Sequence, residues 1–328
     1  MKLSIVIICW NDRKVITECL SSIVANTHET QFEIIVSDNG SVDGSIEFLR
    51  SEFQEVRVIE NGRNLGFSGG NNVGIRNCEG EYIIILNPDT IIHDAAFDKW
   101  VDYADRHPEA GAFGCRVLNP DGSYQITAYP FPTVWRYWLA ALRLQKLGKI
   151  SSRFDSNVYA GWNGDTERRI DWQSGCCIMF RGDLIKRLGG FDERFFYWFE
   201  EVDLCRRVQN EGYRILFTPD VIVTHLGGQS VSRYPLRFDI ETLRNRYRYF
   251  FKHWGKKGLL RCHRLTRVEL VYQQIYLGLK LRLRPADDLR AYLTMRREVL
   301  KWNRKINPVR FVENGDEPQV ETQGGGLP

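Results

Sequence analysis

At 328 residues and 43% hydrophobic side chains, the chain can build one large α/β domain with an appendage, or two small domains. Eight cysteines lie at 9, 19, 78, 115, 176, 177, 205 and 262 without a C-x-x-C or a paired framework, which excludes a disulfide scaffold and predicts reduced core thiols of a cytoplasmic protein. The net charge of +4 hides an asymmetry, because residues 1–232 carry 24 basic and 31 acidic side chains, residues 233–305 carry 20 and 6, and residues 306–328 carry 1 and 4. No signal peptide is expected at the N-terminus, and no run approaches the about 18 apolar residues of a bilayer span.

In chain order, residues 3–9 are a continuous β-branched run and read as a buried strand. Residues 12–26 set Val15, Ile16, Cys19, Leu20 and Ile23 at helical spacing. A second strand over 32–37 ends in the turn Asp38-Asn39-Gly40-Ser41, followed by a helix over 43–52 and a third strand over 56–60. A Gly/Asn-rich loop over 61–72 leads into a helix over 71–77 and a fourth strand over 81–86, which stops at Asn87-Pro88-Asp89. Alternating strands and helices predict a mainly parallel sheet covered on both faces, with ligands at the carboxyl ends of its strands. That rule singles out Asp38, Asp89 and the loop between them. The loop's glycines would let backbone amides approach a ligand, and Arg63 would meet a phosphate or a ring edge. A plain surface turn explains the same composition. After the first strand the chain reads Trp10-Asn11-Asp12 instead of G-x-G-x-x-G, and it has no P-loop.

Residues 195–205 carry the densest chemical signal. Five aromatics, Phe195 to Phe199, run into Glu200, Glu201 and Asp203. Acids set among rings sit where water is scarce, and their pKa rises toward the range of a general base. The competing reading is the first turn of a helix, where acids suit the macrodipole. His225 ends the apolar run Ile222-Val223-Thr224, a position that suits a structural histidine as well as a ligand. Trp172 and Trp198 are candidates to stack on a ligand ring through their apolar faces, or are core aromatics.

Taken in order, residues 5–10 and 37–45, then Arg63-Asn64-Leu65-Gly66 and Asn87-Pro88-Asp89, resemble the family 2 glycosyltransferases. Trp172-Gln173-Ser174-Gly175, Gly190-Phe191-Asp192-Glu193 and Glu200-Glu201-Val202-Asp203-Leu204 continue the match, which covers roughly residues 1–255 and looks nearest to the rhamnosyltransferase-like branch. The resemblance implies an α/β GT-A fold and transfer of a sugar with inversion from a nucleotide sugar. L-Rhamnose on dTDP is the donor it implies, with a glycan or polyprenyl-diphosphate-linked acceptor in bacterial polysaccharide assembly. By match to the family, Asn11, Asp38, Arg63, Asn64, Asp89 and Trp172 are expected at the donor. Asp89 with His225 would hold Mg²⁺ or Mn²⁺, Glu201 would be the general base, and Asp203 is the alternative base. Two departures stand out: Asn87 replaces the first Asp of the family's D-x-D, and Glu201 stands where Asp is usual.

The expected organisation is a catalytic domain over 1–232, a basic helical extension over 233–305 and a disordered tail over 306–328. The extension suggests an anionic partner, for which a membrane surface is expected and nucleic acid is not. Residues 135–150 read as an amphipathic helix touching membrane or acceptor lipid, or as an ordinary insertion. Two other classes compete with a transferase: a sugar-1-phosphate nucleotidyltransferase, and a non-catalytic nucleotide-sugar or nucleic-acid-binding module. The first would want a Gly-rich basic loop after the first strand, which is missing.

Overall fold

The computed structural model describes residues 1–142, 144–156, 158–227, 235–284 and 286–315. It divides into two compact units, Met1–Phe131 with Gly161–Gly227, and Pro132–Ala160 with the helices that follow residue 228.

The first unit is built on a twisted sheet. Strand β1 (Leu3–Cys9) lies between β2 (Phe32–Asp38) and β4 (Tyr82–Leu86), parallel to both, and β3 (Arg57–Glu60) extends the sheet beyond β2. Helices α1 (Arg13–Asn26), α2 (Ser45–Glu52) and α3 (Gly66–Asn77) make the crossovers. All five residues of β4 and six of the seven in β1 are buried, which is why these strands read as unbroken apolar runs. The chain then passes through β5 (Thr90–Ile92), α4 (Ala96–Arg106), β6 (Ala110–Leu118), β7 (Tyr124–Gln125) and β8 (Ala128–Tyr129). After the excursion into the second unit come β9 (Arg168–Arg169), β10 (Trp172–Gln173), β11 (Cys177–Arg181), α6 (Gly182–Arg187), α7 (Glu200–Asn210) and β12 (Arg214–His225). The sheet order is β3-β2-β1-β4-β11-β6-β12-β5, with β11 antiparallel to β4 and β6, and β5 antiparallel to β12. It is the mainly parallel α/β sheet expected, with an antiparallel insertion that periodicity alone does not reveal. Strand order reverses at β1, so a crevice opens where β1 and β4 end.

One expectation about this unit needs correction. The Gly/Asn-rich stretch is not a loop to residue 72, because α3 begins at Gly66. Its glycines serve close packing: a Cβ on Gly74 would lie 2.3 Å from Val6 Cγ1 on β1, and one on Gly66 (φ +73°) 2.6 Å from Phe196 Cδ2. The helix also grips the segment that precedes α7. Phe67 N–H donates to Phe196 O at 3.0 Å, and Asn72 Oδ1 accepts from Phe191 N at 2.8 Å while its Nδ2 donates to Phe191 O at 2.9 Å.

In the second unit, α5 (Val134–Ala141) joins α8 (Pro235–Leu283), α9 (Asp287–Lys305) and α10 (Pro308–Asn314). The 132–160 segment thus belongs with the basic helices, not with the catalytic unit. Tyr137 explains this, with Phe250 at 6.1 Å between ring centroids and the Arg246 guanidinium 4.0 Å from its ring. Helix α8 breaks at Gly255 (φ +61°, ψ −164°). Tyr247 stacks on Trp302 of α9 with 5° between ring planes, and Arg246 pairs with Glu269 at 3.1 Å. The tail expected from residue 306 starts later, since Asn307 caps α10 through Val309 N and Arg310 N, and Phe311 is 3% exposed. The disorder expected for residues 316–328 lies outside the described residues.

Candidate active site

The carboxyl ends of β1, β2 and β4 gather Asp12, Asp38 and Asp89, as the crevice rule requires. They differ in what holds them. Asp38 is 2% exposed, and its carboxylate accepts from Gly40 N at 2.9 Å and Ser41 N at 3.0 Å, so it shapes its own turn. Asn11 (φ +59°) ties the end of β1 to that turn, its backbone N–H donating to Ser41 Oγ at 2.9 Å and its Oδ1 accepting from Val42 N at 2.8 Å. Asn64 Oδ1 accepts from Gly66 N at 2.9 Å and so starts α3. Arg63 is exposed. Asp12, which the sequence reading did not single out, takes Trp10 N on its carboxylate at 2.9 Å. Burial pushes its pKa up to about 6 against that amide, with the charges of Asp89, Asp43 and Asp38 adding to the rise.

Asp89 lies beside His225, with Oδ1 at 3.2 Å from Nε2. The strand pair β5–β12 enforces this, because His225 sits opposite Thr90. Gly227 N donates to Asp89 Oδ2 at 3.1 Å and Leu226 N to Asp89 O at 3.0 Å. Burial would raise the Asp89 carboxyl, but His225 and the backbone amides of Asp89 and Gly227 hold it below its ordinary value. The histidine is itself oriented by residues that carry no local sequence signal. Its Nδ1–H donates to Gln125 Oε1 at 2.9 Å, and Gln125 Nε2 donates to Asn119 Oδ1 at 3.0 Å, which fixes which amide atom faces the ring. Nε2 is left facing Asp89 and the Asn87 amide, 3.2 Å away. At this separation Nε2 and the carboxylate oxygen can hold a proton or a cation between them. The Asp89 carboxylate with the His225 imidazole is a donor set of the kind that suits a divalent cation such as Mg²⁺ or Mn²⁺. Among the described residues no three His, Cys, Asp or Glu side chains form a metal cluster by themselves.

Glu201 stands in the first turn of α7, preceded by Trp198 (φ +71°) and Phe199 (φ +75°), both in the left-handed region. Such backbone costs about 1–3 kcal/mol per residue and persists where its surroundings demand it. Here the demand is the aromatic run clamped by α3. Glu201 is 5% exposed and Glu200 4%, and one oxygen of each has no hydrogen-bond partner. Burial pushes the Glu201 carboxyl up to about 7, while the backbone amides of Glu201, Gly175 and Val202 oppose the rise. Glu200 is raised too, by burial and by the neighbouring Glu201 charge.

The segment 175–176 joins the two halves of the site. Gly175 turns its amide toward Glu201, and Cys176 O accepts from Asn87 N at 2.9 Å. Burial, then the charges of Glu200, Glu201 and Asp89, raise the Tyr197 hydroxyl. Two candidates lie differently. Asp203 is fully buried, and its carboxylate accepts from Arg207 Nε at 2.8 Å, while Arg207 also donates to the carbonyls of Leu188 and Gly190. Trp172 stacks on Tyr129 at 4.5 Å and donates from Nε1 to Pro130 O at 3.1 Å, so one face of its indole is taken. Trp198 is 39% exposed.

A sheet of this order with acids at these strand ends has counterparts among sugar-transferring enzymes. The profile described as "Glycosyl transferase family 2" matches residues 4–162. An N-acetylglucosaminyl-diphospho-decaprenol L-rhamnosyltransferase of Mycobacterium tuberculosis is 31% identical over 220 residues, covering 63% of this chain and 70% of that one. The chain belongs to glycosyltransferase family 2. It is an enzyme of that family, similar in sequence to rhamnosyltransferases. The rhamnosyltransferase WbbL of Escherichia coli is 22% identical over 260 residues, 75% of this chain and 91% of that one. In fold it resembles a mannosyltransferase of Pyrobaculum calidifontis solved with GDP-Man and Mn²⁺, at a TM-score of 0.56 and 16% identity over 96% of this chain and 88% of that one. No described helix is long and apolar enough to cross a membrane.

Proposed function

We propose that the protein is an inverting transferase that moves L-rhamnose from dTDP-rhamnose to a glycan or polyprenyl-diphosphate-linked acceptor during assembly of a bacterial surface polysaccharide. Work on a lipid-linked acceptor belongs at the cytoplasmic face of the plasma membrane. The supporting observation is the pairing of Asp89–His225 with a water-poor Glu201 through one short segment. In this reading Asp89 and His225 hold a divalent cation, which when bound neutralises charge growing on the departing diphosphate. Glu201 accepts the proton of the acceptor hydroxyl as its oxygen bonds to the anomeric carbon. The bond from that carbon to the phosphate oxygen breaks on the opposite face, and the nucleoside diphosphate leaves with the electron pair. One displacement inverts the centre, by the same two-sided logic as inverting glycoside hydrolysis. A pKa of about 7 leaves Glu201 able both to ionise and to bind a proton near neutrality. Asp203, committed to Arg207, serves the helix in this reading and not the proton transfer. Asp38, Asn11 and Asn64 shape the donor pocket through their turns, and Arg63 and Trp172 contact the donor from its edge.

The test is a panel of dTDP-, UDP- and GDP-sugars with Mg²⁺ or Mn²⁺, read by release of nucleoside diphosphate and by thermal stabilisation. Metal-dependent stabilisation by dTDP-rhamnose that disappears in Asp89→Ala is expected. Equal responses in wild type and Asp89→Ala would remove Asp89 from the site, and turnover with another sugar would replace rhamnose.

A further inference from the structure

The second half of α8 carries a face that sugar transfer does not use. Beyond the break at Gly255, Val268, Val271, Tyr272, Ile275, Leu279 and Leu283 recur at helical spacing and are all exposed, Ile275 by 59%, Leu279 by 54% and Leu283 by 88%. At 100° per residue they fall within about one third of the circumference, in a stripe about 22 Å long. Isolated exposed apolar residues need no explanation, but a continuous stripe of six does.

On this half of α8 the exposed charges are all basic. Arg261 and Arg264 lie on its line at one end and Arg282 at the other, with Arg267 and Lys280 along its two flanks, and all five are exposed. From residue 256 to residue 284 there is a single acid, Glu269, and it is already paired with Arg246 at 3.1 Å.

We propose that this face is a docking surface for an anionic lipid bilayer, with the helix lying in the plane of the headgroups. Its apolar side chains would enter the boundary between headgroups and acyl chains, while the arginines at its ends meet lipid phosphates. The charge pattern selects this occupant. A second copy brought up across a two-fold axis would set Arg261 and Arg264 against Arg282, with no exposed acid on this half of α8 to neutralise them. A nucleic acid would match the arginines and leave the apolar stripe wet. The proposal extends the reading of a lipid-linked acceptor but stands on residues outside the catalytic site, so either one can fail alone.

The experiment is sedimentation of the full chain with vesicles of phosphatidylcholine alone or mixed with phosphatidylglycerol, without donor or acceptor. Binding to the mixed vesicles, weakened by high salt, is expected. Ile275→Glu with Leu279→Glu should lower partitioning by about tenfold or more, and Arg261→Gln with Arg264→Gln should lower it and flatten its salt dependence. Both positions of the first pair are solvent-exposed, so circular dichroism and nucleotide-sugar turnover in solution stay unchanged. Equal pelleting with both vesicle types, or no change in the variants, would overturn the proposal. So would a wild-type dimer in sedimentation equilibrium that Ile275→Glu dissolves without vesicle binding, which would make the stripe a self-association face.

Discussion

Replacing Glu201 with Gln should cost activity and yield stability, and the second effect depends on pH. The folded carboxyl titrates near 7 instead of at its ordinary 4.5 because it is buried. A raised carboxyl favours the protonated form, so the penalty for ionising it is absent below about pH 4, grows above 4.5 and is complete above 7. At 1.36 kcal/mol per unit, the wild type loses about 2–3 kcal/mol between pH 5 and pH 8.5 that the glutamine variant does not lose. Any cost of the new amide is the same at both pH values and cancels in that difference. The assay is thermal unfolding of both proteins across this range, where the gap should widen by about 5 °C toward alkaline pH. In parallel, wild-type turnover should rise with slope one below pH 7, and the variant should fall by about 10²–10⁴-fold at pH 8. A gap that stays constant with pH would refute a raised Glu201, and a variant that retains turnover would refute its role as the base.

Asp203→Asn should instead unfold the protein more easily by about 3–5 kcal/mol, because it leaves Arg207 without its buried partner; chemical denaturation measures this, and a variant with native stability and no turnover would make Asp203 the base after all. Gly74→Ala drives a methyl into Val6 and should cost about 1–3 kcal/mol in urea unfolding with α3 displaced, whereas a neutral change would mean that the helix sits farther from β1. Gln125→Leu should free the His225 ring to turn and weaken metal-dependent donor binding by about 10–100-fold, without a matching loss of thermal stability in the absence of metal. Unchanged binding would remove Gln125 from any role in orienting that ring.

The parallel half of the sheet was legible because β1, β2 and β4 are buried on both faces and so cannot avoid apolar, β-branched runs. The start of α3 was not, because glycine and asparagine have the same composition in a loop and in a helix pressed against Val6 and Phe196. Among the acids, sequence indicated which strand ends carry them but not where each carboxylate is spent. Asp38 turned out to serve Gly40 and Ser41, and Asp203 serves Arg207. Gln125 and Asn119 escaped notice because an amide that orients a histidine 100 residues away leaves no local pattern. The pairing of residues 132–160 with the C-terminal helices rests on Tyr137, Phe250 and Arg246, contacts between distant parts of the chain.

The short bridge through Gly175 and Cys176 has a mechanical corollary. The turn that carries Asp89 and the helix end that carries Glu201 are both hydrogen-bonded to two neighbouring peptide units, so a shift of either is expected to be felt by the other. In the proposed mechanism, backbone at this one place would keep leaving-group departure and proton removal in register, as a common pin does two jaws. Damage to one jaw should then be felt at the other, and losses from paired substitutions at Asp89 and Glu201 should fall short of the sum of the single ones.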